Sequence, residues 1–364
     1  MVRNAAGDFP VGEITMSDEW NGGSVRLIAL LSATMALGMV ACTSEETLTQ
    51  PETAGDQSIA TLSSALASNS WTTKAPLPYG PFGVSAGMAV NSAGQSIVYT
   101  FGGQTAESPA PSGGVQAYNV ATNTWTSRSA HVQPVTRGNG VGKIGSKLYF
   151  SGGYYGDELY ASELDAYDYG TDRMIKKADM PKHTGDGVTG VINGKLYVLP
   201  GTCELGVTSQ GYCATNPIRR LYRYDPATNT WVAGALAPHF HKNGAAGVIN
   251  GKFYVAGGLN SFQPVADLDV YDPATNTWKT LAPLPTAGVA IGAALGGKLF
   301  VISAGNHSYA YNPATNTWKT RASPTWGHGA AVRVVLAGTS RLLAVGDSHG
   351  PNFDLPNDSE LYTP

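Results

Sequence analysis

"YDPATNTW" occupies residues 224–231 and recurs letter for letter at 271–278, with "YNPATNTW" at 311–318 and "YNVATNTW" at 118–125. Asp225 and Pro226 suit the first two positions of a type I turn, and Asn229 tolerates a left-handed backbone. The octapeptide therefore predicts a strand ending at Tyr224, a turn, and a second strand through Trp231. A second kind of segment precedes each copy: "NSAGQSIVYTFGG" (91–103), "KIGSKLYFSGG" (143–153), "VINGKLYVLPG" (191–201), "VINGKFYVAGG" (248–258) and "ALGGKLFVISAG" (294–305). An apolar run, an Asn-Gly-type turn and a β-rich run in that order make an antiparallel hairpin. Each unit thus holds four antiparallel strands, with its tryptophan free to pack between neighbouring units.

This pattern resembles the kelch repeat, whose units are the blades of a β-propeller. The doublets Gly102-Gly103, Gly152-Gly153 and Gly257-Gly258 match the family mark, as do Tyr118, Tyr224, Tyr271 and Tyr311 with Trp125, Trp231, Trp278 and Trp318. Two doublets are degraded, to Pro200-Gly201 and Ala304-Gly305. The second unit departs most. In "YDYGTDRM" (167–174) Gly170 is expected to rescue the turn and Met174 to fill the tryptophan slot. Five units end near Trp125, Met174, Trp231, Trp278 and Trp318. The last starts at "HGAAVRVVL" (328–336), stops at "SELYTP" (359–364) and lacks an outer strand. "SWTTKAPLP" (70–78) matches "TWKTLAPLP" (277–285), so the N-terminal segment is expected to close the last blade and remove open edges. The resulting fold class is all-β, a six-bladed propeller over 70–364, at about 49 residues per blade against a kelch period of about 50.

Composition agrees: the 364 residues include 45 glycines and only 13% charged residues, with a formal charge of −3. That mixture suits a turn-rich β domain and excludes a long-helix bundle. Without a basic stripe, nucleic acid is not an expected partner. Residues 1–42 read as an address. Leu27–Ala41 is an apolar run of 15 residues, short for a bilayer span. It follows Arg26 and ends in Met39-Val40-Ala41-Cys42, which resembles a bacterial lipoprotein signal; a buried or interfacial helix is the competing reading. An alternative start at Val25 would leave residues 1–24 untranslated. The resemblance implies lipidation at Cys42 and, with Thr43 after it, an outer-membrane destination in the cell envelope. Residues 43–69, rich in Ser, Thr, Glu and Ala, read as a tether. Cys203 and Cys213 frame a short loop whose disulfide would contribute roughly 2–3 kcal/mol; two free thiols or half a metal site are the alternatives.

Because the copies build the frame, function belongs where they differ. Loops leading into each blade and loops joining its second and third strands share one face, here called the upper face. All seven histidines fall in these loops: His131, His183, His239, His241, His307, His328 and His349. A histidine there serves either a ligand or the structural start of a kelch blade. Arg137, His183, His241, Lys242 and His328 are expected to converge near the axis, with Tyr79, Phe82, Phe240 and Trp326 as aromatic walls. The i, i+2 spacing of His239 and His241 allows a metal, with His183 or His328 as a third ligand, as a lesser reading. No cofactor is expected. "GVSAG" (83–87) fits G-x-S-x-G but opens an inner strand with no helix behind it, so no nucleophile elbow is assigned. A copper oxidase of the galactose oxidase kind needs a cysteine cross-linked to tyrosine, and the cysteines are otherwise committed.

The leading functional expectation is a surface-tethered, monomeric binding module for a glycan, peptide or protein. The second is an isomerase resembling the bacterial kelch sialic-acid mutarotases, since mutarotation needs only a general acid and base at the anomeric centre. Glu204 or Asp157 with His183, His241 or His328 would supply these, and Arg137 a carboxylate contact. The third is a scaffold in an outer-membrane assembly.

Overall fold

The computed structural model describes residues 68–79, 82–104, 112–131, 133–156, 159–203, 205, 218–346 and 359–364. The signal region with Cys42, residues 43–67 of the expected tether, and Asp157, Glu204, Cys213 and His349 lie outside the described residues. Six four-stranded antiparallel sheets form the blades. Blade 4 is typical: Ala245–Ile249, Lys252–Ala256, Leu268–Asp272 and Thr277–Leu281 run from the inner to the outer edge. Its first hairpin turns at Asn250 (φ 50°) and Gly251 (φ 73°), the left-handed pair that a two-residue hairpin loop of this twist requires. Each innermost strand packs against the next, and that of blade 6 (Ala330–Leu336) against that of blade 1 (Ser85–Val90), so the ring is closed.

Close approach between inner strands selects small residues. Gly87, Gly142, Gly190 and Gly247 occupy equivalent positions, with Ala293 and Val332 the fifth and sixth. A Cβ on Gly87 would lie 2.4 Å from a Val141 methyl of the next inner strand, and one on Gly247 would lie 2.7 Å from the Ala294 nitrogen. The apolar core fills the spaces between blades. One cluster joins Tyr254, Leu268 and Val270 of blade 4 to Leu299, Val301 and Tyr311 of blade 5.

The recurring octapeptide makes the joint between blades. In blade 5, Asn316 is left-handed (φ 54°) and its Oδ1 accepts two hydrogen bonds. One comes from the buried Tyr311 hydroxyl (2.7 Å), the other from the Ala282 N–H (3.0 Å) just past the outer strand of blade 4. Trp318 Nε1–H donates to the Ala282 carbonyl at 2.9 Å, and its ring lies 5.1 Å from that of Tyr311. The same three residues clasp Ala75 from Tyr118, Asn123 and Trp125, Ala178 from Tyr224, Asn229 and Trp231, and Ala235 from Tyr271, Asn276 and Trp278.

Blade 6 shows how the ring shuts. Ser70–Lys74 pairs with Ser359–Thr363 in the register Ser70↔Thr363 to Lys74↔Ser359, and Trp71 faces Tyr362 as the other tryptophans face their tyrosines. Asn69 accepts from Tyr362 and from the Ala322 N–H, while Trp71 donates to the Ala322 carbonyl. The N-terminal segment thus brings both the outer strand and the clasp.

Blade 2 solves the joint differently. Met174 faces Tyr167 where the other blades carry tryptophan. The left-handed residue of this turn is Asp172 (φ 54°), and Gly170, expected to rescue the turn, donates its N–H to the Asp168 carboxylate. The Asp172 carboxylate accepts from Tyr167 (2.8 Å), the Ser129 N–H (2.9 Å) and the Ser129 hydroxyl (2.6 Å). Partial burial alone would raise its pKa. Those hydrogen bonds and the Arg128 guanidinium at 3.5 Å outweigh it and hold Asp172 well below the usual carboxylate range. Asn316→Ala removes an acceptor shared by a buried hydroxyl and a neighbouring blade, and is expected to cost about 2 kcal/mol in urea unfolding. Thr315→Ala, on the same exposed turn, is expected to cost under about 0.5 kcal/mol; equal losses would show that the clasp carries no special weight.

Candidate functional site

The inner strands of blades 1 to 5 are joined at their start by a run of hydrogen bonds on the upper face. Arg137 N–H donates to the Gly83 carbonyl (2.7 Å), Asp186 N–H to that of Arg137 (2.8 Å), Asn243 N–H to that of Asp186 (2.7 Å) and Ala290 N–H to that of Asn243 (2.9 Å). Gly83, Arg137, Asp186 and Asn243 all have φ between 53° and 64°. Glycine, aspartate and asparagine accept that conformation readily; for arginine it costs about 1–2 kcal/mol. The chain therefore holds Arg137 in a disfavoured backbone at a fixed point of the rim, an outlier of the sort that gathers at ligand sites.

Inside the ring lies a cavity of about 890 Å³, lined by the innermost strands of all six blades. Its wall is mostly glycine, alanine and valine. Arg137, Lys242, Asn243, Asn306, His328 and Phe262 stand towards its upper mouth, and Lys143 and Arg333 towards its other end. No Asp or Glu occurs among the described lining residues. Lys242 Nζ lies 3.4 Å from the buried Asp186 carboxylate, which also accepts from the Thr202 hydroxyl at 2.8 Å. Arg137 sits 5.2 Å above the Tyr154 ring and has no carboxylate partner among the described residues. In a chain of net charge −3, this narrow wall is locally cationic, and low-dielectric walls focus such a field. An anion is the ligand that such a cavity favours.

The kelch-motif family model matches residues 185–235 and 242–285, the third and fourth blades. Those two blades are kelch motifs, set in a six-bladed propeller. A kelch-like protein of Aspergillus terreus, terF, is 28% identical over 150 residues, 40% of this chain and 32% of its own length. An N-acetylneuraminate epimerase of Shigella sonnei is 33% identical over 130 residues, 35% of this chain and 33% of that protein. One of Escherichia coli O157:H7 is 35% identical over 133 residues, again 35% and 33% of the two chains. The chain thus spans about a third of the length of the curated relatives it matches.

In this kelch propeller several histidines are fasteners. His241 is buried; its Nδ1 meets the Gly257 carbonyl at 2.9 Å and its Nε2 the Asp269 carboxylate at 3.2 Å. His239 turns to the same carboxylate at 3.1 Å and to Asp267 at 3.5 Å, so the i, i+2 pair shares an anion. Among the described residues no three His, Cys, Asp or Glu side chains converge as metal ligands. His328 Nε2 meets Glu360 at 2.9 Å, and Glu360 also accepts the Thr325 and Trp326 N–H groups. Burial would raise the pKa of Glu360 and of Asp269, but these hydrogen bonds bring both below the ordinary range. His183 Nδ1 contacts the Tyr160 carbonyl at 3.0 Å.

Of the residues expected at the axis, Arg137, Lys242 and His328 reach the cavity wall. His183 and His241 are not among its lining residues, nor are Tyr79, Phe82, Phe240 and Trp326. Phe82 is buried, and Phe240 lies under Arg219 with the guanidinium 5.1 Å from the ring centre. Cys203 is buried, with its expected partner outside the described residues. Lining residues absent from the sequence expectation include Asn243, Asn306, Phe262, Lys143 and Arg333. Phe262, 85% exposed, tips the short hairpin of Leu259–Asn260 and Gln263–Pro264, which backbone bonds tie to Lys242. Lys143 and Arg333 were hidden within short inner strands, where only their departure from a Val/Ala/Met position marks them.

The fasteners occupy one register position, two residues before each blade's tyrosine. Gln116, Asp269, Tyr309 and Glu360 stand there, and each bonds the loop leading into its own blade. Asp165 holds the same place in blade 2, where burial first and Glu163 second push its pKa up to about 6. A raised carboxylate pKa means that the fold favours the protonated form, so stability falls as pH climbs from about 4 through 6. Asp165→Asn is therefore expected to raise the melting temperature at pH 7 and to lose that advantage near pH 4. A gain that is the same at both pH values would contradict the charge argument.

Proposed function

We propose that this kelch propeller is a binding protein that takes a small carboxylated ligand, a sugar acid above all, at the upper mouth of its central cavity. The observation that carries the reading is Arg137: strained, fixed at the rim, without a carboxylate partner among the described residues, and sharing with Lys242 a wall whose described residues include no acid. Guanidinium groups suit carboxylates through paired hydrogen bonds. Asn243 and Asn306 offer amides for sugar hydroxyls, and Phe262 an apolar face for a pyranose ring. Relatives named N-acetylneuraminate epimerase support a sugar carboxylate as the ligand class.

A second reading, turnover of such a sugar, is favoured by one feature. Glu360 orients His328, whose Nδ1 takes no hydrogen bond among the described residues although the side chain is buried at the cavity wall. An imidazole oriented by a carboxylate, with one nitrogen uncommitted, is the arrangement that proton transfer uses. Polarimetry of N-acetylneuraminate anomerisation separates the two readings: acceleration that His328→Asn abolishes makes the protein an isomerase, and an unchanged rate leaves it a binder.

The reading also includes a lipid tether at Cys42, which would hold the propeller at the outer membrane. Palmitate labelling of the full chain in cells is expected to be lost in Cys42→Ser, and persistent labelling would remove the tether. For the site itself, calorimetric titration with N-acetylneuraminate is expected to show Arg137→Gln weakening binding by about 2 kcal/mol, roughly 30-fold. Lys242→Gln is expected to weaken it less, since that ammonium already pairs with Asp186. Unchanged affinity in both variants would sink the site.

A further inference from the structure

At the level just beyond the inner-strand glycines, the six blades present Met88, Lys143, Val191, Val248, Ala294 and Arg333. Four are apolar, as the repeat would have all six. The two exceptions are both cations, on the two inner strands that flank Met88. Both side chains are exposed and both line the central cavity. Neither has a carboxylate partner among the described residues: Lys143 Nζ donates to the Gly145 carbonyl at 2.9 Å, and Arg333 to the Ser340 hydroxyl at 2.8 Å. A structural role would give these cations an acid to pair with, or would leave the position apolar. What remains is a positively charged lower mouth on the same continuous cavity whose upper mouth carries Arg137 and Lys242.

We infer that Lys143 and Arg333 form a second anion subsite, so that the full ligand is an elongated acidic oligosaccharide threaded through the channel with carboxylates at both ends. This rests on the reading of the upper mouth as a sugar-acid site. From Arg137 to Lys143 is six residues, bent at Arg137 and Gly140 and extended only from Val141, so the two mouths stand at most roughly 20 Å apart. That is beyond one sugar and within reach of a short linear chain of them. A wall of glycine and alanine between the mouths admits such a chain without demanding side-chain rearrangement. Nucleic acid would need stacking platforms along its path, and among the described lining residues Phe262, at the upper mouth, is the only aromatic.

The test titrates the protein with galacturonic acid and its linear oligomers, from dimer to octamer, with Lys143→Gln/Arg333→Gln alongside the native chain. Both positions are exposed, so folding is not at stake. For the native protein, affinity is expected to rise at least about tenfold once the oligomer spans both mouths, because the second contact is intramolecular. The double variant is expected to lose that rise and to keep the monomer affinity within about twofold, and the native rise is expected to shrink with added salt. A native affinity that does not depend on length, a rise that survives in the double variant, or no binding of any oligomer would overturn the inference. If oligomers bind with a rise that the variant loses while no monomeric sugar acid binds, the lower subsite stands and the upper-mouth reading falls.

Discussion

One side-chain oxygen, repeated around the ring, holds the propeller together. In blades 1, 3, 4, 5 and 6 an asparagine Oδ1 accepts from a buried tyrosine hydroxyl in its own sheet and from a backbone N–H in the preceding blade. The adjacent tryptophan takes the matching carbonyl. Burying the tyrosine hydroxyl without that acceptor would leave a polar group unpaired, and freeing the neighbouring strand end would loosen the packing between blades. A closed ring is only as sound as its weakest joint, which accounts for near-identical spelling at so many places. Blade 2 keeps the same contacts with a carboxylate in place of the amide, and Arg128 compensates the charge.

With the outer joints fixed, the inner strands can come close enough that small residues are required, and those of blades 1 to 5 are locked by the backbone bonds that include Arg137. The consequence is a cavity whose shape is set by repeated elements and whose chemistry is set by the few positions where the copies disagree. Those positions carry cations at both mouths and no acid among the described lining residues. Rigidity matters here, because cations already held apart by the scaffold lose little freedom when an anion arrives.

Much of this was legible in the sequence, because turn chemistry is local. Asn229, Asn250 and Gly251 announce left-handed turns from their own side chains, and "SWTTKAPLP" declares its kinship with outer strands by spelling. The histidines were not legible in the same way. Whether His241 or His328 faces a ligand or a fastener depends on Asp269 and Glu360, which lie 28 and 32 residues further along and arrive only when the third strand folds back. In blade 2 the left-handed position falls to Asp172, which like the asparagines elsewhere supplies the acceptor that the joint needs and that a glycine could not offer. Lys143 and Arg333 escaped notice because attention falls naturally on variable loops, whereas these two break the pattern inside a strand.

That near-identical copies build a frame around a channel reserved for anions can be tested most directly with crystals of the propeller soaked in bromide and mapped by anomalous scattering. The strongest peaks are expected beside Arg137 and Lys242 at one mouth and beside Lys143 and Arg333 at the other. Bromide spread over the outer faces of the blades, with an empty channel, would contradict the assignment of that cavity to anionic ligands.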